Sequence, residues 1–215
     1  MLHIPRRSLL VACLVFGLAA FLAPPADAVP IRYTFAATLS LASSSDSLDL
    51  DGATLTITVD ADSSASPSST ISGTNNELSL YGVTATAVFS DRPNAASDET
   101  VVYTPNLMVT NHFPPSSGSD QFGIQSSFAS FSSVTIFMPG ISLAFVSSAF
   151  LPGTGPPALP LFDPSDVASV GAAQLHQQPT LPIYDLQNVS ITAVPEPTTA
   201  VLLLMGMLGL AANRR

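Results

Sequence analysis

The sequence predicts a mainly β protein whose body is an antiparallel β-sandwich or jelly-roll-like domain. Two observations support this fold class. Apolar and polar residues alternate with a period of two in many short stretches of the chain. Turn-forming residues separate these stretches, and no alternation of strands with long helices is apparent. Many short strands without a βα rhythm are typical of antiparallel sandwiches.

The predicted body covers residues 29–193, a normal length for one domain with its own core. The alternation is clear in residues 31–41 and clearest in residues 53–60, where Leu55, Ile57 and Val59 share one face and threonines occupy the other. The further predicted strands are 77–81, 83–89, 101–103, 106–111, 121–125, 133–137, 141–147 and 186–192.

Residues 151–182 depart from this pattern. Pro152, Pro156, Pro157 and Pro160 exclude a central strand, because proline cannot donate to a β-ladder. The stretch 163–166 predicts the cap of one short helix that runs to about residue 173. We therefore expect 151–182 to be a long loop excursion on the surface.

The N-terminus has the three parts of a secretory signal peptide. Arg6 and Arg7 supply its positive charge, residues 9–23 its apolar run, and Ala26 and Ala28 the small residues of an A-x-A cleavage site. The sequence thus predicts a signal helix over residues 1–28, removed by signal peptidase. Cys13 is the only cysteine and lies in this segment, so the mature chain cannot use disulfides, thiol catalysis or cysteine metal sites.

Charge is unevenly distributed along the chain. There is no lysine, and residues 29–194 contain two arginines against thirteen acidic residues, a net charge of −11. So acidic a body repels nucleic acid, which excludes DNA or RNA as a partner. The other four arginines lie near the two ends, as the positive-inside rule predicts for a translocated middle.

The C-terminal stretch 194–215 consists of three distinct parts. Pro195, Glu196 and Pro197 keep the backbone extended, because each proline fixes its own φ and biases the residue before it. Residues 198–212 are apolar and uncharged, and predict a short transmembrane helix. Arg214 and Arg215 follow it and are expected to remain on the cytoplasmic side as a membrane stop.

This order of a Pro-Glu-Pro tripeptide, an apolar helix and terminal arginines resembles the PEP-CTERM sorting signal of Gram-negative bacteria. The resemblance implies recognition at the tripeptide by an exosortase, an integral membrane enzyme. It also implies export across the inner membrane, transient anchoring by the C-terminal helix, and delivery to the cell surface or extracellular matrix. An exopolysaccharide is a further candidate partner there.

Candidates for chemistry in the body are sparse. His112 and His176 are the only histidines of the mature chain, and neither lies in a recognised catalytic motif. No zinc-type histidine spacing occurs either. We therefore expect no enzymatic activity. The competing hypothesis of a secreted hydrolase requires one of these histidines to reach both a serine and a carboxylate.

Calcium is the one metal that the sequence brings into consideration, and we otherwise expect no cofactor. Asp49, Asp51, Asp60 and Asp62 supply hard oxygen ligands near the ends of a probable hairpin, although their spacing fails the EF-hand pattern. The alternative is that Asp49 and Asp51 form the solvent face of a strand whose leucines, Leu48 and Leu50, face inward.

The favoured function is that of an exported, non-enzymatic surface or matrix protein processed at its C-terminal signal. A carbohydrate- or calcium-binding module on the same route is the alternative. Sugar-binding sandwiches commonly stack sugars on aromatic rings, and this chain has no tryptophan and four tyrosines, Tyr33, Tyr81, Tyr103 and Tyr184.

Overall fold

A computed structural model describes residues 30–43, 45–73, 76–112, 119–146, 159–177 and 182–195. These residues form fourteen strands and one short 3₁₀ turn, so the mainly β prediction is confirmed. The strands are β1 (Pro30–Leu41), β2 (Thr54–Asp62), β3 (Ser69–Ser72), β4 (Asn76–Gly82), β5 (Ala85–Ser90), β6 (Glu99–Tyr103), β7 (Asn106–His112), β8 (Gln121–Ile124), β9 (Ser127–Phe131), β10 (Val134–Met138), β11 (Ile141–Phe145), β12 (Val167–Ala172), β13 (Leu175–Gln177) and β14 (Ile183–Pro195).

The strands form two sheets, and every pair of neighbours is antiparallel. The larger sheet has the order β6-β5-β2-β1-β14-β13-β10-β9, and the smaller has the order β12-β11-β8-β7-β4-β3. The first and last strands of the body therefore lie side by side in the middle of the larger sheet.

The core lies between the sheets and is rich in aromatic rings. Tyr33 and Phe35 of β1 face Phe122 of β8, with a centroid distance of 4.6 Å between Tyr33 and Phe122. Alternation puts residues 31, 33, 35 and 39 of β1 inside with no exposed surface, which is what the period-two pattern predicts. Removing this apolar surface from water supplies the main driving force for folding.

The prediction of a surface excursion over 151–182 is wrong for the described part of that range. Leu159 and Phe162 are buried, and Phe162 packs 5.7 Å from both Phe122 and Phe145. The same range contributes β12 and β13 to the two sheets. The positions 151–158 and 178–181 lie outside the described residues.

The short helix predicted to run to about residue 173 is also wrong. A single 3₁₀ turn covers Pro164–Asp166, closed by reciprocal bonds from the Asp166 N–H to the Asp163 carbonyl and from the Asp163 N–H to the Asp166 carboxylate. Strand β12 begins at the next residue and pairs with β11. Its β-branched valines and its glycine disfavour a helix, and the neighbouring strand supplies a ladder instead.

The larger sheet curls until its two edge strands, β6 and β9, lie next to each other. Glu99, at the start of β6, joins them by accepting hydrogen bonds from the Ser132 N–H and hydroxyl, both at 2.6 Å. Glu99 also pairs with Arg92 at 3.2 Å, and the Arg92 guanidinium lies 5.1 Å from the centre of the Phe131 ring. One half-buried arginine and one carboxylate thereby connect both edges of the sheet.

Candidate functional sites: the end of the last strand and an exposed aromatic row

The last strand continues directly into the tripeptide that the sequence singles out. β14 pairs with β1 from Leu41↔Tyr184 at one end to Ile31↔Pro195 at the other. Pro195 is thus both the final strand residue and the first residue of Pro-Glu-Pro. Pro195 is also the last residue that the structure describes at this end of the chain.

A bulge divides β14 into two parts. Gln187 pairs with Thr38 and Ser190 pairs with Ala36, so the register shifts between these two pairs. Asn188 lies in the shift with a φ of 52°, in the left-handed region that asparagine tolerates better than most residues. The seven residues Val189–Pro195 therefore form a separate section of the strand.

Both ends of the described body lie at the same end of the larger sheet. Pro30 pairs with Asp62 on one side of β1, and Ile31 pairs with Pro195 on the other. The predicted signal peptidase site at Ala26 and Ala28 lies just before Pro30 in the chain. The two predicted processing points are therefore attached to neighbouring strands.

Several predicted site residues lie outside the described residues. They are Ala26, Ala28, Glu196, Pro197, Arg214 and Arg215, together with the predicted helix over 198–212. Among the residues that the structure does describe, none belongs to a helix with the length and apolarity needed to cross a bilayer.

The four aspartates considered for calcium each have a local partner. Asp49 accepts bonds from the Asn94 backbone and side chain, and Asp51 accepts one from the Leu41 N–H. Asp60 pairs with Arg32 at 2.7 Å, and Asp62 closes a turn with Ser64. No group of three or more acidic, histidine or cysteine side chains in the described ranges is arranged to hold a metal ion.

Asp46, which precedes these four aspartates in the sequence, organises the loop before β2. Asp46 accepts hydrogen bonds from the Leu50 and Asp51 N–H groups and from the buried Tyr184 hydroxyl. Burial alone would raise the pKa of Asp46, but these hydrogen bonds outweigh it and lower the pKa. Leu48 and Leu50 are buried as expected, although they lie in a turn and not in a strand.

The two histidines lie in different environments. The His112 backbone N–H donates to Asp120, and its ring Nδ1 is buried without a hydrogen-bond partner in the described part of the chain. The His176 ring packs against Phe137 at a centroid distance of 4.9 Å. The described contacts thus place the two imidazoles at separate locations, His112 at the end of β7 in the smaller sheet and His176 in β13 of the larger.

The tyrosines considered for sugar stacking are all in the core, with exposures from 0% to 5%. A different set of rings lies nearer the surface. This aromatic row consists of Phe128, which is exposed, and of Phe137 and His176, which are half-buried; the three lie opposite one another on β9, β10 and β13. Phe128 is 59% exposed, and its ring centroid lies 5.1 Å from that of Phe137. Sequence alone could not reveal the whole row, because His176 joins it through the non-local pairing of β13 with β10.

The inner face of the smaller sheet carries a polar row. Glu77 of β4 pairs with Asn111 of β7. Asp120 immediately precedes β8, which pairs with the other side of β7. All three are buried, and one carboxylate oxygen of Glu77 has no hydrogen-bond partner in the described ranges. Leu78 and Leu80 occupy the half-exposed outer positions of the same strand.

Comparison with known proteins identifies the C-terminal segment. The family model of the PEP-CTERM protein-sorting motif matches residues 193–215, which overlap the end of β14. The recognition of this motif from the sequence is thereby confirmed. No curated protein and no solved structure matches the chain.

Proposed function

We propose that this chain is an exported, non-enzymatic protein of the cell surface or extracellular matrix, released by cleavage at its C-terminal motif. The sorting motif at residues 193–215 supports export and exosortase-type processing, and it is the observation that carries the proposal. The acidic, lysine-free body supports it as well, because such a body is soluble and does not adhere to nucleic acid.

In this proposal signal peptidase cuts after Ala28, and residues 198–212 then hold the chain in the inner membrane. Arg214 and Arg215 remain on the cytoplasmic side and stop translocation. The exosortase recognises Pro195, Glu196 and Pro197 and separates the body from the helix. The anchored form is therefore an intermediate, and the mature product is the β domain.

The test is the mass of the protein recovered from membrane, surface and medium. In a variant carrying both Pro195→Ala and Pro197→Ala, the full C-terminus should be retained and the protein should accumulate in the membrane. Pro93→Ala is the control, since Pro93 lies in an exposed turn far from the motif in sequence. Unchanged masses in the double variant, or a wild-type chain that keeps its C-terminus in every fraction, would overturn the proposal.

A second candidate function is binding of neutral glycans, and the aromatic row favours it. Phe128, Phe137 and His176 are spaced about one strand apart, roughly 4.8 Å, which is close to the size of one sugar ring. Polar neighbours, Ser130 and Thr135, lie on the same face and can hydrogen-bond hydroxyl groups. The negative body disfavours anionic polymers, so a neutral exopolysaccharide is the partner to test.

Binding of neutral polysaccharides by the wild type and by Phe128→Ala tests this candidate. We expect the variant to bind at least tenfold more weakly. Ile71→Ala is the matched control, because Ile71 is a 57% exposed apolar residue on β3, an edge strand of the smaller sheet. Equal binding by all three proteins, or none by any, would remove the candidate, and a thermal shift with added calcium tests the calcium alternative on the same samples.

A further inference from the structure

In the described part of the chain, the end of β14 has a ladder partner on one side only. In the described ranges β13 meets β14 at Ile183 and Tyr184 and no further, so β1 is the only ladder partner from Asp185 onward. The part beyond the bulge, Val189–Pro195, is named the release segment here. It begins one residue after Asn188, whose left-handed backbone already interrupts the ladder.

The release segment is weakly buried. Ile191, at 6% exposure, is its one buried side chain, Val189 and Ala193 are half-buried against the core, and Ser190, Thr192, Val194 and Pro195 are exposed. Strand ends with few buried apolar contacts open at a much lower free energy than the core. Opening of this segment is therefore expected to cost less free energy than opening of the core.

The next residue after the release segment is Glu196 of the tripeptide. A protease that binds an extended chain uses the backbone hydrogen-bonding groups along that chain, as in strand addition. In the folded body β1 already occupies one edge of the segment up to Ile31↔Pro195. Separation would free these groups and give about 23 Å of extended chain, at roughly 3.3 Å per residue, between the body and the membrane enzyme.

We infer that the release segment must separate from β1 before the motif can be cut, with the bulge at Asn188 as its hinge. This inference rests on the proposed processing at the motif. The β domain thereby controls its own release, because cleavage depends on the fraction of time that the end of one strand is open.

Two engineered disulfides test the inference in the full chain. Thr34 and Thr192 are partners within the release segment, and Thr38 and Gln187 are partners on the other side of the bulge. Partner residues in antiparallel ladders have Cα atoms about 4.5–5.5 Å apart, which a disulfide can bridge. The mature chain has no cysteine of its own, so each double variant can form one bond only, in the oxidising compartment beyond the inner membrane.

We expect the Thr34→Cys/Thr192→Cys chain to be processed at least tenfold more slowly than wild type when oxidised, and at the wild-type rate after reduction. The Thr38→Cys/Gln187→Cys chain should be processed at the wild-type rate in both states. Processing is followed by intact mass, and disulfide formation by the mass shift after thiol labelling. Equal rates for the oxidised first variant and wild type would overturn the inference while leaving the processing itself established.

A conservative substitution tests the opposite direction. Ile191→Val removes one methylene from the buried contact of the release segment and should speed processing several-fold, while the far-ultraviolet circular dichroism of the body stays unchanged. Slower or unchanged processing in Ile191→Val would contradict a role for separation. If the wild-type chain is not shortened at all, the proposed function itself fails. Failure of the inference is distinguished from this result, because it is seen only in the variants while the wild type is still processed.

Discussion

We expect two very different losses of stability when one carboxylate is replaced in each of two ion pairs, Arg92–Glu99 and Arg32–Asp60. Glu99→Gln breaks the pair with Arg92, whose side chain is 14% exposed, and Asp60→Asn breaks the pair with Arg32, which is 48% exposed. The chemistry of the two substitutions is the same. The difference in burial therefore decides the outcome.

The expected loss in the free energy of unfolding for Glu99→Gln follows from the groups that Glu99 contacts. Its two oxygens accept bonds from the Ser132 N–H, the Ser132 hydroxyl and Arg92, and a glutamine would turn an N–H₂ group toward one of these donors. Hydrogen bonds to charged groups contribute about 1.5–3 kcal/mol each, and removing one partner of a buried pair costs about 3–5 kcal/mol. Because Glu99 is 24% exposed, we expect a loss of about 2–3 kcal/mol for Glu99→Gln. An exposed pair such as Arg32–Asp60 contributes about 0.2–1 kcal/mol.

The assay is equilibrium unfolding in urea at neutral pH, followed by far-ultraviolet circular dichroism because the chain has no tryptophan. Repeating it in about 1 M salt should remove most of the Asp60→Asn effect and little of the Glu99→Gln effect, since screening acts on exposed charges. Equal losses for the two variants, or a loss below about 1 kcal/mol for Glu99→Gln, would refute the argument from burial.

Three further predictions concern single side chains. Tyr103→Phe removes a buried hydroxyl without a partner in the described ranges and should be neutral or stabilising, whereas Tyr33→Phe loses the 2.8 Å bond to the Pro160 carbonyl and should cost about 1 kcal/mol in urea unfolding. Ser133→Gly should stabilise by about 0.5–1 kcal/mol, because Ser133 has a φ of 68° in the two-residue β9–β10 turn; a lower thermal midpoint would contradict this. The lowered pKa of Asp46 contributes stability that is present above its unfolded value of 3.8 and lost as the pH falls through its folded value, so Asp46→Asn should flatten the acid side of the stability profile measured by urea unfolding below about pH 5.

Sequence patterns found most strands with two-faced burial, missed β9 although its residues alternate between buried and exposed, and missed strands without such alternation. β2 alternates Leu55, Ile57 and Val59 with threonines and was predicted with nearly its observed bounds. β3 is an edge strand exposed along its whole length, and β13 has only three residues, so neither has an alternation to detect. The identity of an edge strand depends on its neighbour, which composition does not reveal.

The same limit applies to the candidate sites. The tripeptide with its apolar segment is a local pattern, and local patterns can be read from sequence. The pairing of Pro195 with Ile31 joins residues from opposite ends of the body, and its register depends on the whole fold. The aspartates at 49, 51, 60 and 62 looked like ion ligands because sequence shows their spacing but not the N–H groups and the arginine that occupy them.

The side-by-side position of β1 and β14 has a mechanical consequence. If the tail is fixed in the bilayer as proposed, drag on the far end of the body would pull along the axis of β14 and shear it against β1, so the hydrogen bonds of the shared ladder would resist together. Tension in this direction meets far more resistance than fraying from the tip, where bonds open one after another. An anchored molecule would therefore withstand flow. β14 would separate from β1 only when its C-terminal end is pulled away from the sheet.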